Sequence, residues 1–285
     1  MKSLFFVLLI VVSVIAVSNV WRTRRPEPAV TTAAALFTPV PYNGPRVPVI
    51  IELFTSEGCS SCPPADALLA QLDQQQPVPG AEIIALSEHV DYWNYIGWAD
   101  PFSSEAYSAR QQGYAEALRL TGGRGDVYTP QMVVDGQFDL VGGNAVKARE
   151  VIAQAAAFPK AEVKLTLIDT TDKAALKLHV QTSRLPQLHA NDQAEVMLAI
   201  TENNLASSVT RGENSGRKLR HSAVTRELRT LGTFASAQKT FEADATVKLA
   251  DTWKRAEVRL VAFVQERAHR RILGAASINL SGKLN

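Results

Sequence analysis

Two hydrophobic periodicities divide the chain near Pro159. Before it, short apolar runs alternate with segments in which apolar residues recur every three or four positions, the period of an amphipathic helix. After it, apolar and polar residues alternate one by one, as in half-buried strands. The change predicts an α/β segment over residues 47–159 and an antiparallel β segment over residues 160–285.

The first segment predicts the order strand–helix–strand–helix–strand–strand–helix. Buried strands are expected around 49–54 and 83–86, and Asp135-Gly136 is a strong signal for a tight turn between two hairpin strands. Helices are predicted over 61–74, from Ser103 or Ser104 to Leu120, and from Asn144 to about Ala157. This order is that of a thioredoxin-like fold with an enlarged loop after its second strand.

The second segment predicts an antiparallel β-sandwich. Turn-like stretches separate five alternating runs, at 163–167, 176–180, 196–200, 258–264 and 272–278. The polar stretch from Arg211 to His221 fits no strand. In this stretch Arg217, Arg220 and His221 could bind an anion, but the preferred interpretation is a solvated loop, in which they face water.

The amino terminus predicts export. In residues 1–20 a lysine precedes an apolar run from Leu4 to Val17, followed by small residues, as in a secretory signal peptide. The alternative is an uncleaved anchor in the inner membrane, because the run approaches the length that spans a bilayer. Either way the expected location is the periplasm or outside the cell. Residues 21–46, rich in Pro and Ala, predict an extended linker.

Charge also differs between the two segments. Residues 47–159 carry 5 Lys and Arg against 14 Asp and Glu, whereas residues 160–285 carry 20 against 13. This asymmetry supports a division into two domains with different surfaces. The basic excess of the second segment is too dilute to indicate a nucleic-acid partner.

The only two cysteines, Cys59 and Cys62, stand where the first predicted strand passes into the first predicted helix. A helix amino terminus stabilises a thiolate, so Cys59 is the candidate nucleophile and Cys62 the resolving thiol. A zinc half-site would need two further ligands, and the sequence has no second Cys-x-x-Cys and no His-x-x-x-His. The leading hypothesis is a thiol–disulfide oxidoreductase without a metal or organic cofactor. It would exchange electrons with protein or small-molecule disulfides and with a redox partner protein.

Three other positions complete the predicted site. Thr129-Pro130 opens a strand where this fold carries a cis-proline beside the dithiol, and it would bind substrate backbone. Trp93 belongs to an aromatic loop over residues 88–101, which is either a lid on the sheet or a substrate-binding wall. Glu52, in the first strand, could act as general base for Cys62, or its side chain could reach the sheet edge.

Two hypotheses from other functional classes stay open. His89 could join Cys59 and Cys62 in a Cu(I) site, as in a metallochaperone, because thiolate and imidazole ligands suit that ion. Alternatively the chain is a binding module with a vestigial dithiol. His179 and His189 are interpreted as structural or surface residues.

Four motifs resemble an uncharacterised family of bacterial exported thioredoxin-like proteins, known as a domain of unknown function. They are Glu52–Asp66, which contains Gly-Cys-Ser-Ser-Cys-Pro-Pro, His89–Asn94, Tyr128–Gln131 and Arg211–Asn214. The resemblance covers about residues 47–280 and implies a thioredoxin-like domain and export to the periplasm, but no known substrate. The sequence is also similar to the wider thioredoxin superfamily, in which the first cysteine is nucleophilic. Ser60-Ser61 replaces the Gly-Pro of thioredoxin itself, so the reducing potential of thioredoxin cannot be carried over.

Overall fold

The computed structural model describes residues 41–169, 175–235 and 237–282. The predicted signal or anchor and most of the predicted linker lie outside these ranges. The first half contains β1 (Val47–Thr55), α1 (Pro63–Gln75), β2 (Ala81–His89), α2 (Glu105–Leu120), β3 (Gln131–Val134), β4 (Phe138–Val141) and α3 (Ala145–Ala156). The second half contains β5 (Glu162–Asp169), β6 (Ala175–Ser183), β7 (Gln193–Glu202), β8 (Leu205–Ser208), β9 (Lys218–His221), β10 (Val224–Ala235), β11 (Phe241–Lys248), β12 (Val258–Glu266) and β13 (Ile272–Asn279). None of the described helices is long and apolar enough to cross a bilayer.

One mixed sheet of eight strands runs through the molecule, in the order β13-β12-β7-β10-β2-β1-β3-β4. Strand β1 is parallel to β2 and antiparallel to β3. Residues from Val49 to Thr55 are all buried, because both faces of β1 are covered. This explains why β1 is a nearly continuous apolar run rather than an alternating one.

Helices α1 and α3 share a hydrophobic core with one face of β1. Strand residues Val49, Ile51 and Leu53 belong to this core. The helices contribute Ala65, Leu68, Leu69, Leu72, Ala148, Val151, Ile152 and Ala155. Each fully buried leucine contributes about 2 kcal/mol to folding, so this face fixes α1, and with it the turn that precedes α1.

A second sheet, of three antiparallel strands in the order β11-β6-β5, shares a hydrophobic core with the large sheet. Leu176, Leu178 and Val180 of β6 contribute from one side, and Val196, Leu198 and Ile200 of β7 from the other. Over the described ranges the chain is therefore a mixed α/β protein with a large mixed sheet and few helices.

The large sheet joins the two predicted domains. Strand β10 pairs in parallel with β2 through Val224 and Ser87, and the Ser87 N–H donates to the Ala223 carbonyl at 2.7 Å. A bidentate ion pair between Arg259 of β12 and Asp73 of α1 adds a second link. Strands from both sides of residue 159 thus form one sheet, while the predicted domain boundary remains a prediction.

Several elements differ from the sequence-based expectation, and β2 and β9 are the two that bear on the candidate site. Strand β2 continues to His89, because β1 pairs with it up to the register Thr55–His89. Glu88 and His89 are therefore strand residues and do not belong to the aromatic loop. In the predicted solvated loop, residues 218–221 form β9, which pairs with β8 in a hairpin. Residues 218–221 are mostly polar, so their sequence does not predict a strand. The strand is stabilised by its pairing with β8.

Strand β13 starts against the turn between β3 and β4, where Gly136 has φ +68° and a Cβ atom would lie 1.9 Å from the Arg270 carbonyl oxygen. We expect Gly136→Ala to lower the free energy of unfolding by about 2 kcal/mol or more, measured by urea denaturation. Gly143→Ala is the control, because a Cβ there has no atom within 4 Å. Equal stability of the two variants would contradict this close approach.

Candidate functional site

Cys59 and Cys62 form a disulfide in the turn between β1 and α1. Cys62 is the N-cap residue of α1, and its carbonyl accepts hydrogen bonds from the N–H groups of Ala65 at 2.8 Å and Asp66 at 3.1 Å. Pro63 follows at the first helical position, where a missing N–H removes no intrahelical bond. The disulfide therefore lies at the positive end of the α1 dipole.

The disulfide is covered. Cys59 and Cys62 are 1% and 0% exposed, whereas Ser60 and Ser61 between them are exposed. The Ser61 hydroxyl lies 3.3 Å from the Cys59 sulfur. The turn thus presents its two serines to solvent and keeps both sulfur atoms beneath them.

Part of the cover is the loop that follows β2. A Cβ atom at Gly58 would lie 3.1 Å from the Trp93 Cβ and 3.2 Å from the Ile96 Cδ1, so these residues pack directly on the turn. The Trp93 indole N–H also donates to the Thr129 hydroxyl at 2.8 Å. The loop therefore connects the disulfide turn with the Thr129-Pro130 segment.

Pro130 is buried, and the Thr129–Pro130 peptide bond is cis, as predicted. The Gly142 N–H donates a hydrogen bond to the Pro130 carbonyl at 2.9 Å. A Cβ atom at Gly142 would lie 3.1 Å from the Pro130 Cβ and 3.0 Å from the Ala65 Cβ. Because Gly142 has no side chain, Pro130 approaches the first turn of α1.

The rest of the cover comes from the loop between β8 and β9. The Asn214 side-chain amide donates to the carbonyls of Glu57 at 2.8 Å and Cys59 at 2.9 Å. Glu213 accepts a hydrogen bond from the Ser60 N–H at 2.9 Å, and hydrogen bonds from Ser60 lower the pKa of its carboxyl. Arg217 donates to the Asn214 side-chain oxygen at 2.7 Å and fixes the orientation of the amide.

Glu57 is fully buried beneath the turn. Its carboxylate lies 2.8 Å from the His221 Nε2 and accepts the Trp98 indole N–H at 2.8 Å. Its backbone N–H donates to Asp100 at 2.8 Å. The prediction that His221 faces water is wrong, since His221 is 3% exposed. The buried Glu57 carboxylate is the partner that holds His221 inside the protein.

A second buried pair adjoins the first. The His89 Nδ1 lies 2.7 Å from the Asp100 carboxylate. Burial acts to lower the pKa of His89, but the charge and hydrogen bond of Asp100 outweigh it and raise that pKa overall. Burial likewise acts to raise the pKa of Asp100, yet His89 and backbone N–H groups lower it overall. The pair therefore favours the ionised forms of both residues.

The two imidazoles lie close together, with 4.9 Å between the ring centres of His89 and His221. Their outer nitrogens, Nε2 and Nδ1 respectively, are buried and lack a hydrogen-bond partner within the part of the chain that is described. Asp66 of α1 accepts a hydrogen bond from Thr55 at 2.8 Å, and burial raises its pKa although both histidines act against the shift. The turn thus rests on a cluster of titratable side chains.

Glu52 is occupied elsewhere. Its two carboxylate oxygens accept hydrogen bonds from Arg110 and Tyr114 of α2. Gln265 of β12 donates to the Tyr114 hydroxyl at 2.8 Å and completes this buried network. Burial, reinforced by Glu52, raises the pKa of the neighbouring Glu88 well above its usual range. The general-base role of Glu52 remains a prediction.

The structure therefore brings Cys59, Cys62, Trp93, Thr129 and Pro130 into one region. Sequence reasoning missed the residues beneath and above the turn: Glu57, Asp66, Asp100, Glu213, Asn214 and His221. Two of the motifs that carry the family resemblance contain these residues: Glu52–Asp66 contains Glu57 and Asp66, and Arg211–Asn214 contains Glu213 and Asn214. Those motifs were the available signal.

The structure does not group His89 with the two cysteines as metal ligands. Among the described residues, the cluster with ligand atoms close enough to share an ion consists of His189, Glu266 and His269. His189, interpreted from the sequence as a structural or surface residue, has Glu266 and His269 as close neighbours.

Comparisons with known proteins give the family of the chain and two structures with a similar fold. The model of a family described as "Protein of unknown function (DUF1223)" matches residues 50–265. A crystal structure of a protein from Agrobacterium tumefaciens is similar, with a TM-score of 0.61 and 23% identity over 85% of this chain and 98% of that one. HBP35 of Porphyromonas gingivalis is similar with a TM-score of 0.58 and 16% identity, over 84% and 77% of the two chains. At these identities the likeness shows a shared fold. No curated protein matches the chain.

The raised pKa of His89 predicts a pH dependence of stability. Its contribution is fully present below pH 6.5, the usual pKa of histidine, and is lost as the pH rises through the raised value. We expect the free energy of unfolding of the wild type to fall more steeply above pH 6.5 than that of His89→Gln, measured by urea denaturation from pH 6 to 9. At pH 6 the variant should be less stable by about 3 kcal/mol, because Asp100 stays buried without its partner. Parallel pH profiles would contradict the proposed pair.

Proposed function

The chain belongs to the DUF1223 family of proteins of unknown function, and we propose that it is an exported thiol–disulfide oxidoreductase acting through Cys59 and Cys62. One observation carries the proposal: the only two cysteines form a disulfide at the amino end of α1. A lone disulfide over so short a loop removes little entropy from the unfolded chain, so it contributes little as a staple. A redox role explains the pair better.

We assign residues 47–159 to the thioredoxin-like class. Four observations support the assignment: the strand order β2-β1-β3-β4, the parallel pair of β1 and β2, the antiparallel β3 and β4, and the shared core of α1, α3 and β1. We assign residues 160–285 to a β-sandwich, which the core shared by the two sheets supports.

The oxidised form reacts with a substrate dithiol in two balanced steps. A substrate thiolate attacks the Cys59 sulfur, a mixed disulfide forms, and the bond to Cys62 breaks to release the Cys62 thiolate. The second substrate thiolate then attacks the substrate sulfur of the mixed disulfide and releases the Cys59 thiolate. The substrate loses two electrons and leaves as a disulfide, while the protein gains them as a dithiol. Run in reverse, the same steps reduce a substrate disulfide, with Cys59 as the attacking thiolate.

The helix end supports these roles. The α1 dipole stabilises a thiolate on either cysteine, and Cys62, as N-cap residue, lies closest to the amino end of the helix. Ser61 can donate a hydrogen bond to the Cys59 sulfur. Cys59 precedes the helix, next to the exposed Ser60, and is the sulfur that a substrate reaches when the cover opens.

Asp66 is the residue that we propose as proton donor and acceptor for Cys62. It lies one turn beyond Cys62 on the same helix, and burial raises its pKa, which makes its carboxylate a stronger base. Glu52, by contrast, is tied to Arg110 and Tyr114. An ion-paired carboxylate is a poorer base, so we rank Glu52 second.

Substrate binding is assigned to Thr129, Pro130 and Trp93. Pro130 has no N–H, so a substrate backbone could pair with Thr129 beside the disulfide. Trp93 adds an aromatic surface joined to Thr129 by a hydrogen bond. Because Cys59 is 1% exposed, a substrate must displace the residues above it, and the contacts of Glu213 and Asn214 are the ones to break.

The proposed setting is the periplasm or the cell exterior, reached through a signal peptide or with an inner-membrane anchor. Disulfides form and persist in an oxidising compartment, so a Cys-x-x-Cys pair can exchange disulfides there. The proposed partners are protein or small-molecule dithiols and disulfides, together with a redox protein that resets the Cys59–Cys62 pair.

Trapping tests the proposed roles of the two sulfurs. In the Cys62→Ser variant Cys59 can attack a substrate disulfide, but the protein has no second thiol to resolve the mixed disulfide. The adduct should therefore accumulate with substrate proteins in the host periplasm, where non-reducing electrophoresis and mass spectrometry detect it. Cys59→Ser is the matched control and should trap far less. No adduct with Cys62→Ser, or equal adducts with both variants, would overturn the assignment.

A pair of isosteric variants separates the two candidate bases. We expect Asp66→Asn to slow resolution of a mixed disulfide by about 100-fold, the typical contribution of acid–base catalysis, and Glu52→Gln to change the rate far less. Stopped-flow kinetics with a small aromatic disulfide measures this step. The reverse order of effects would assign the role to Glu52, and circular dichroism checks that both variants fold.

A further inference from the structure

The hairpin that covers the disulfide carries an excess of positive charge. Residues 203–221, which include β8, β9 and the loop between them, contain four Arg and Lys residues against a single acid, Glu213. All four cations are exposed, and none of them forms an ion pair with another residue that the structure describes. They are Arg211, Arg217, Lys218 and Arg220. Their charge is therefore available to a partner.

Two of these cations lie on the outer face of β9. The residues of β9 alternate between exposed and buried, so Lys218 and Arg220 both face solvent. The residues opposite them on β8 are Ser208 and Ala206, which are exposed and carry no charge. The two cations are about 7 Å apart along the strand, which is the spacing of alternate residues in an extended peptide.

The tip of the hairpin lies beside the disulfide turn. A Cβ atom at Gly212 would lie 2.9 Å from the Ile96 Cδ1, and one at Gly58 of the turn would lie 3.2 Å from the same atom. The Arg211 Cδ packs on the same loop, 4.0 Å from the position of a Cβ atom at Gly97. The positive charge of the hairpin therefore extends to the edge of the turn.

The single acid of the hairpin contacts the main chain next to Cys59. Glu213 accepts a hydrogen bond from the Ser60 N–H at 2.9 Å, and Ser60 directly follows Cys59. Because Glu213 is exposed, water competes for this contact, and the contact contributes little to stability. A carboxylate from another molecule can therefore replace Glu213 on Ser60. It would then lie one residue away from the reacting sulfur.

We propose that the hairpin binds an acidic, extended peptide segment in which carboxylates flank the reacting cysteines. The cations attract the segment, and one of its carboxylates displaces Glu213 from Ser60 and so helps to open the cover above Cys59. Residues 47–159 carry an excess of acids and repel the same segment, which directs its approach toward the hairpin. The inference rests on the proposed redox function, whose two exchange steps are unchanged, and adds the class of substrate.

Equilibrium binding tests the surface without any sulfur chemistry. The probes are three short fluorescent peptides in which serines replace the reacting cysteines and the flanking residues are all Glu, all Gln or all Lys. Fluorescence anisotropy with the oxidised full chain should show the Glu peptide binding at least about fivefold more tightly than the Gln peptide at low salt. The preference should disappear at about 0.5 M NaCl, because salt screens exposed charges.

Paired double variants locate the surface. Lys218→Gln combined with Arg220→Gln should remove most of the preference for the Glu peptide. Lys177→Gln combined with Lys248→Gln is the matched control, because it removes the same charge from exposed positions in the three-stranded sheet. The control should bind all three peptides as the wild type does. Equal loss of preference in the two double variants would assign it to net charge and overturn the proposal.

Exchange kinetics connect the surface with the disulfide. The same peptides with two cysteines reduce the oxidised chain, and stopped-flow fluorescence follows the rate. Each rate is divided by the rate of the same peptide with bis(hydroxyethyl) disulfide, which is neutral, because flanking charges also shift the pKa of the peptide thiols. The Glu peptide should be the fastest on this scale. Glu213→Gln should accelerate all three peptides, because a neutral amide holds Ser60 less strongly.

The two readouts separate failure of this inference from failure of the redox function. Equal binding of the three peptides by the wild type, or exchange at equal relative rates, would overturn the inference and leave the redox function standing. Charge-selective binding without any exchange would overturn the redox function, while the surface for acidic peptides would stand. These wild-type comparisons decide the question even if a variant fails to fold.

Discussion

The buried carboxylate of Glu57 is the interaction on which the site depends. Its carboxylate contacts His221 and accepts a hydrogen bond from Trp98. Its N–H donates to Asp100, and its carbonyl accepts a hydrogen bond from Asn214. A buried charge that loses its partner costs several kcal/mol. The position of this one residue, two before Cys59, therefore fixes the loop after β2, the β8–β9 hairpin and the disulfide turn relative to one another.

Most of the first half could be predicted because its signals are local. Hydrophobic period, the Ser104 and Asn144 caps and the Asp135-Gly136 turn each act within a few residues, and the structure contains those elements. Strands β8 to β11 were not predicted from the sequence, because their stability depends on pairing with other strands and not on local signals. Strand β9 is polar and becomes a strand only by pairing with β8, and β10 is the strand that extends the sheet across both halves.

The candidate site divides in the same way. Cys59, Cys62 and the Thr129-Pro130 segment were visible as short motifs placed by the order of elements. The contacts from Glu213, Asn214 and His221 cross more than 150 residues of sequence, and nothing in one sequence specifies which distant polar side chains will pair. Loops that face solvent and loops that cover a site have similar compositions. The sequence therefore predicted that His221 faces water.

The long stretch of sequence between the cysteines and the residues that cover them also separates the times at which they are synthesised. During synthesis at roughly 5–20 residues per second, the cysteines are made about 10–30 s before the hairpin that covers them. Throughout that interval the turn between β1 and α1 has neither Asn214 above it nor His221 beneath it. The two thiols are therefore synthesised well before the side chains that enclose them in the folded protein.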